Sequence, residues 1–148
     1  MAHKFIEHLI KDHDEQRRLG KQLRKVKGPD EREALRQQFH EALYPHMEGE
    51  EASIFDFLTS AQGKAREEAL KALQEHYVAK TVLRELMGLA LDSEVFNAKA
   101  YVLDEMNRHH MKEEEQTHFP MIESMASQEK MDGLFERYKE AEEGAKGS

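Results

Sequence analysis

Apolar residues recur along most of this chain at intervals of three and four, the spacing that places them on one face of an α-helix. The first stripe, over about residues 3–26, carries Phe5, Ile6, Leu9, Ile10, Leu19, Leu23 and Val26 and stops at Gly28-Pro29. Asp30, with Glu33 three residues on, reads as the capping box of a second helix. That helix is expected to run to about Leu58 on Leu35, Phe39, Leu43, Ile54 and Phe57, with a kink at Pro45. A third stripe, about 65–91, uses Leu70, Leu73, Ala79, Leu83, Leu86 and Met87. After a turn at Asp92-Ser93, a fourth over about 94–119 uses Phe96, Ala100, Leu103 and Met106, and Pro120 bends or ends it. A shorter amphipathic piece follows a Ser127 cap, with Met131, Leu134, Phe135 and Tyr138 at helical spacing. The tail from Glu142 reads as polar and frayed. The pattern predicts an all-α fold, an antiparallel up-down-up-down four-helix bundle with a short extra C-terminal helix. It occupies one domain, residues 1–141, before a polar tail at 142–148.

Composition narrows the function. Charged residues make up 35% of the 148, which suits long helices with solvated outer faces. No apolar run is long enough to cross a bilayer, and no leader pattern is readable at the N-terminus, so a cytoplasmic location is expected. A net charge of −8 argues against nucleic acid or an anionic membrane as partner, since either needs a basic face. The chain has no cysteine, which excludes disulfides, thiolate zinc sites and iron–sulfur clusters. Any metal must be held by imidazole and carboxylate, and nine histidines are many for this length.

Several of those histidines fall on the apolar stripes. His13 follows Ile6, Leu9 and Ile10 at helical spacing, His46 follows Phe39 and Leu43, His76 follows Leu73, and His110 follows Leu103 and Met106. Glu50 and Glu114 each lie four residues after a stripe histidine, one turn along the same face. Each of the four helices thus aims one imidazole inward, and the second and fourth add a carboxylate. Neighbouring bundle helices lie roughly 8–10 Å apart, so these arms can converge on one central site. Buried without partners they would cost several kcal/mol, roughly, and a pair of metal ions removes that cost. A lone His-x-x-x-Glu pair is a weak signal. Here there are four, His3/Glu7, His46/Glu50, His109/Glu113 and His110/Glu114, and two lie on stripes of alternate helices. His109 and Glu113 share a face with Glu105, Lys112 and Gln116 and read as solvated; His3 sits too near the terminus to be held rigidly; His8 and His40 lie off the stripes. His118 is open to two readings, over the site or capping the helix end before Pro120.

With these residues in view, the chain resembles the hemerythrin family in its HHE cation-binding branch. The matching stretches are Asp12-His13-Asp14, His46-Met-Glu-Gly-Glu50-Glu51, Glu75-His76, and His110-Met-Lys-Glu-Glu114-Glu115 followed by Phe119-Pro120. The resemblance implies a non-haem centre of two iron ions, oxo- or hydroxo-bridged when oxidised. His13 and His46 would serve one iron, His76 and His110 the other, and Glu50 and Glu114 would bridge them. Oxygen-carrying hemerythrins have a second histidine one turn after the helix-3 histidine, where this chain has Lys80. A protonated lysine cannot ligate, so Glu51, Tyr44 or water would complete that iron.

The function expected is binding or reduction of a small oxidant (peroxide, dioxygen or nitric oxide) at the His/Glu centre, with catalase-like peroxide decomposition as the preferred activity. Lys80 is the candidate catalytic group. Its stem lies on the core stripe, and its ammonium would approach an iron-bound oxygen ligand or Glu51, or else reach water at the bundle edge. The alternatives are an iron or oxygen sensor without turnover and a simple oxygen-binding protein. A ferritin-like oxidase wants Glu-x-x-His on two helices, and only Glu115/His118 fits.

Overall fold

The computed structural model describes residues 2–147. Seven α-helices and one π-helical turn account for the regular structure, with no strand among the described residues. The helices are α1 (Lys4–Leu23), α2 (Pro29–Ala52), α3 (Ile54–Thr59), α4 (Lys64–Gly88), α5 (Phe96–Glu113), α6 (Phe119–Met125) and α7 (Gln128–Ala145). The π turn, Glu114–His118, joins α5 to α6. Around the bundle α1 packs on α2 and α5, and α4 also packs on α2 and α5, so four long helices enclose one interior. α7 lies chiefly along α2.

Several local expectations are corrected. His3 is not loose: its Nδ1 accepts the Phe5 N–H at 2.9 Å and caps α1, and its Nε2 lies 2.7 Å from Asp132. α2 begins at Pro29 after Gly28, so Asp30 falls inside the first turn and makes no capping box. Pro at the first helical position lacks only an N–H that would be unpaired there anyway. α2 runs through Pro45 without interruption but breaks at Ser53, short of Leu58. The Ser53 N–H tightens onto Glu50 O, and its Oγ donates to the carbonyl of Gly49 at 2.7 Å. The break turns Phe55 and Leu58 into the core, positions the second-helix stripe did not include. On α4 Ala79, Leu83 and Leu86 are buried as expected, but in the first half Leu70 is 45% exposed, while Ala65, Ala69 and Ala72 face inward. Pro120 does not end the fourth helix. The preceding π turn, where Phe119 N–H reaches Glu114 O, absorbs the irregularity, and the chain stays helical to Met125. α7 continues to Ala145, into the stretch expected to fray.

The core is divided. Phe5, Leu9, Ile54, Phe55, Leu58, Phe119 and Ile122 belong to one apolar cluster. Leu19, Phe39, Leu43, Leu83, Phe96 and Leu103 belong to another. Along α1 and α4 the histidine falls between residues of the two clusters, and on α2 and α5 it follows second-cluster residues such as Leu43 and Leu103, the first cluster being taken up beyond each helix by Ile54 and Phe119. A polar layer therefore crosses the middle of the interior, and only a layer whose polar groups are all matched can lie there cheaply.

Candidate metal centre

The π turn and the end of α2 bring two carboxylates into that layer. Glu50 and Glu114 are both fully buried. The imidazoles of His13 (α1), His46 (α2), His76 (α4) and His110 (α5), between 0% and 7% exposed, surround them. His13 Nε2 lies 2.9 Å from Glu114 Oε1, His46 Nε2 3.2 Å from Glu50 Oε2, His76 Nε2 3.3 Å from Glu50 Oε1, and His110 Nε2 3.2 Å from Glu114 Oε2. These six residues form two overlapping ligand groups. One is His13, His46, Glu50 and Glu114; the other is Glu50, His76, His110 and Glu114, the two carboxylates being common to both.

The donor atoms are close but badly matched as hydrogen bonds. Nε2 of His13 and of His46 and both oxygens of each glutamate are buried with no hydrogen-bond partner. His76 Nε2 and His110 Nε2 face each other at 2.9 Å. On every one of the four imidazoles the other nitrogen, Nδ1, points outward to a carboxylate. His13 Nδ1 lies 2.6 Å from Glu115, His46 Nδ1 3.1 Å from Asp12, His76 Nδ1 2.9 Å from Glu51, and His110 Nδ1 2.7 Å from Glu75. A neutral imidazole that donates through Nδ1 offers a bare lone pair at Nε2. Four such lone pairs and four carboxylate oxygens thus converge with nothing but one another to satisfy them, and a cation answers that arrangement.

Without a cation, protons do part of the same work. Burial works to discharge His110, but Glu114, Glu75 and Glu50 outweigh it and push its pKa up to about 10. His13 and His46 also move up: burial opposes the shift, and the facing glutamates carry it for both, joined for His46 by Asp12. Burial alone would raise Glu50, yet His46 and His76 hold it well below the usual carboxylate range. The layer is a negatively charged pocket that collects positive charge.

The six residues expected on the inward stripes are brought together. Lys80 is not among them. Its ammonium sits on the flank, 2.8 Å from both Glu48 and Glu51, and 21% of its side chain is exposed. Burial works against its charge and the two glutamates outweigh it, so it stays protonated. His118 is buried but points at Glu68, 3.4 Å away, and Phe55 packs edge-on against it. His109 is exposed.

Asp12, Glu75 and Glu115 were not singled out as site residues from the sequence, and Glu51 reads there as a ligand to the iron or a partner of Lys80, not as the partner of His76. Each is the immediate neighbour of a ligand-layer residue, and each backs the histidine of the next helix around the bundle rather than its own. A step of one residue turns a helix by about 100°, which moves a side chain from the inward face to the helix–helix seam. The doublets Asp12-His13, Glu50-Glu51, Glu75-His76 and Glu114-Glu115 were the available signal.

The sequence model of the hemerythrin HHE cation binding domain matches residues 4–122. The chain belongs to this family. Cation binding, typically of iron, is the property the family carries, and the buried His/Glu groups fit it. No curated protein and no solved structure matches the chain. Among the described residues, no helix is long and apolar enough to cross a membrane.

Proposed function

We propose that the centre holds two iron ions and reduces a small oxidant, with peroxide the preferred substrate and dioxygen or nitric oxide the related ligands. The observation that carries this reading is the pair of ligand groups sharing Glu50 and Glu114. A carboxylate common to two groups can give one oxygen to each ion. His13 and His46 would complete one ion, His76 and His110 the other. Two iron ions held there would supply two electrons to one peroxide, giving water, and regain them from a second, giving dioxygen, so that turnover needs no other reductant.

The protein's own groups do the rest. Four outward carboxylates hold the imidazoles in the Nδ1-protonated tautomer and aim their lone pairs inward. The order in which they do so supports the up-down-up-down topology. On α1 and α4 the backing carboxylate precedes the inward residue; on α2 and at the end of α5 it follows it. Such alternation closes a ring in one rotational sense when successive helices run in opposite directions. Phe119 stacks on His13 at 5.6 Å and Phe55 packs edge-on against His76 at 5.4 Å, keeping bulk water from those faces.

Between α4 and α5 a mostly apolar cleft of about 290 Å³, lined by Met47, Val78, Ala79 and Met106, reaches His76 and His110. It suits a small molecule of low charge. Lys80 does not replace the missing imidazole. Glu51 is engaged by His76 and Lys80, and the Tyr44 ring stacks on His40. Water or an exogenous ligand reaching His76 and His110 through the cleft would complete the ion that they hold. Lys80 would act on the centre through Glu51 and His76. The setting proposed is cytoplasmic, in a single domain over residues 1–141.

Turnover tests the activity. Iron-loaded protein, reduced without oxygen and given repeated portions of hydrogen peroxide, should consume each portion in many-fold excess over iron. A single stoichiometric oxidation followed by silence would favour a sensor.

A further inference from the structure

The family match ends at residue 122, and α7 lies wholly beyond it. Yet α7 delivers a side chain to the outward nitrogen of a ligand-layer histidine. Tyr138 is fully buried, its ring 5.5 Å from that of Phe5 and 5.8 Å from that of His46. It lies against Gly49, the residue before Glu50, where a Cβ would come within 2.6 Å of two of its ring atoms. Only a residue without a side chain lets the phenol reach past α2.

The hydroxyl ends in a hydrogen-bonded cluster. It donates to Asp12 Oδ2 at 2.5 Å, lies 2.8 Å from His46 Nδ1, and has Glu142 Oε2 at 3.1 Å. Three of the four layer histidines are backed by a carboxylate alone. For His46 the carboxylate is the more distant partner, at 3.1 Å, and the phenol the nearer. A phenol is donor and acceptor at once, so it can pass its proton toward Asp12 while accepting the His46 Nδ1–H. Phenylalanine would fill the same space against Phe5 and Gly49. A buried hydroxyl is costly unless it has partners, and here its one proton goes to Asp12 while its oxygen can accept from His46.

We propose that Tyr138 is a positioning residue for His46, and that α7 is thereby part of the metal site rather than an appendage to it. The inference rests on reading His46 as a metal ligand. Tyr138 and Asp12 together hold the ring so that Nε2 faces Glu50. Removing the hydroxyl leaves Asp12 alone at the longer distance and frees the ring to tilt.

The test compares the parent with Tyr138→Phe and with Phe135→Leu. Phe135 stacks on Phe5 at 5.1 Å, so its truncation loosens the packing of α7 while keeping the phenol. Each protein is loaded with zinc, a diamagnetic probe. The dissociation rate to a strong chelator and the His46 Nδ1–H proton resonance are then read, with the melting temperature of the stripped protein alongside. Tyr138→Phe should speed zinc release about tenfold or more, and should shift the His46 proton and hasten its exchange. Phe135→Leu should lower the melting temperature and leave release within about twofold, since it removes packing but no partner of His46. If Tyr138→Phe releases zinc at the parental rate with an unshifted His46 proton, the inference fails whatever the melting temperature does. Equal acceleration in both variants would assign the effect to helix docking and overturn it too. A parent that takes up neither zinc nor ferrous iron would instead overturn the ligand reading on which it rests.

Discussion

Stripping the metal and raising the pH should weaken this fold from its centre. In the metal-free chain the His110 imidazole is pushed from its ordinary 6.5 to about 10: burial opposes the shift, and Glu114 leads the groups that overcome it. A histidine whose folded pKa lies above the unfolded one adds stability that is full below the unfolded value. That stability is lost as pH climbs through the folded value. A gap from 6.5 to about 10 corresponds to roughly 5 kcal/mol, of which about 4 disappears between those two pH values. His13 and His46 are raised as well and add to the same trend. Glu50, held low by His46 after burial has worked the other way, contributes in the opposite sense, with stability lost as pH falls through its folded value. The stripped protein should therefore be most stable at mildly acidic pH and lose several kcal/mol by about pH 10. Urea denaturation of chelator-treated protein at about pH 6, 8 and 10 measures this. The metal-loaded protein should behave differently, because a cation replaces the protons and binds more tightly as they leave. Stripped protein whose stability is flat or rising across this range would refute the reasoning. Glu114→Gln, which removes the leading attraction on His110, should flatten the slope.

Three further outcomes are expected. Glu50→Ala or Glu114→Ala should lose at least one metal ion per chain, whereas Glu113→Ala, on the partly exposed flank of α5, should keep the parental content by elemental analysis. Lys80→Met removes the cation that lies 2.8 Å from Glu48 and from Glu51; it should retain both metals and slow peroxide consumption several-fold, and a parental rate would leave Lys80 a surface ion pair. Gly20→Ala would set a Cβ against the buried Asp104 carboxylate, which Arg24 and Arg108 hold at 2.8 and 2.9 Å; urea unfolding should register a loss of about 1–3 kcal/mol, and a loss under about 0.5 would mean that the carboxylate yields freely.

The helical period made the inward face legible. His13, His46, His76 and His110, with Glu50 and Glu114, share a face with aliphatic residues of their own helices, and that face is the interior. What lies at the seams was not readable this way. Periodicity reports which side of a helix is buried, not which neighbouring helix a lateral residue will touch. Asp12, Glu75 and Glu115 therefore looked like ordinary solvated carboxylates beside the ligand-layer residues, and Glu51 like a spare ligand rather than the partner of His76. The π turn at Glu114–His118 was hidden because its residue types are those of any polar helix. The break at Ser53 was hidden because it depends on a serine bonding back to Gly49, which a mid-helix serine can also do without breaking anything. Leu70 misled in the other direction. A large apolar residue drew the stripe toward itself, while in that half of α4 the inward face is made by the small Ala65, Ala69 and Ala72. Tyr138 read only as one position of an amphipathic stripe, because nothing local to α7 reveals that Gly49 clears a path for it to His46.

The central claim is that Glu50 and Glu114 join two metal sites in one layer. Anaerobic titration of chelator-stripped protein with ferrous iron, with bound metal counted after removal of the excess, tests it most directly. The account predicts saturation at two irons per chain, with near-ultraviolet charge-transfer bands appearing once air is admitted. Saturation at one iron, or a chain that refuses ferrous iron while holding a single zinc, would contradict it.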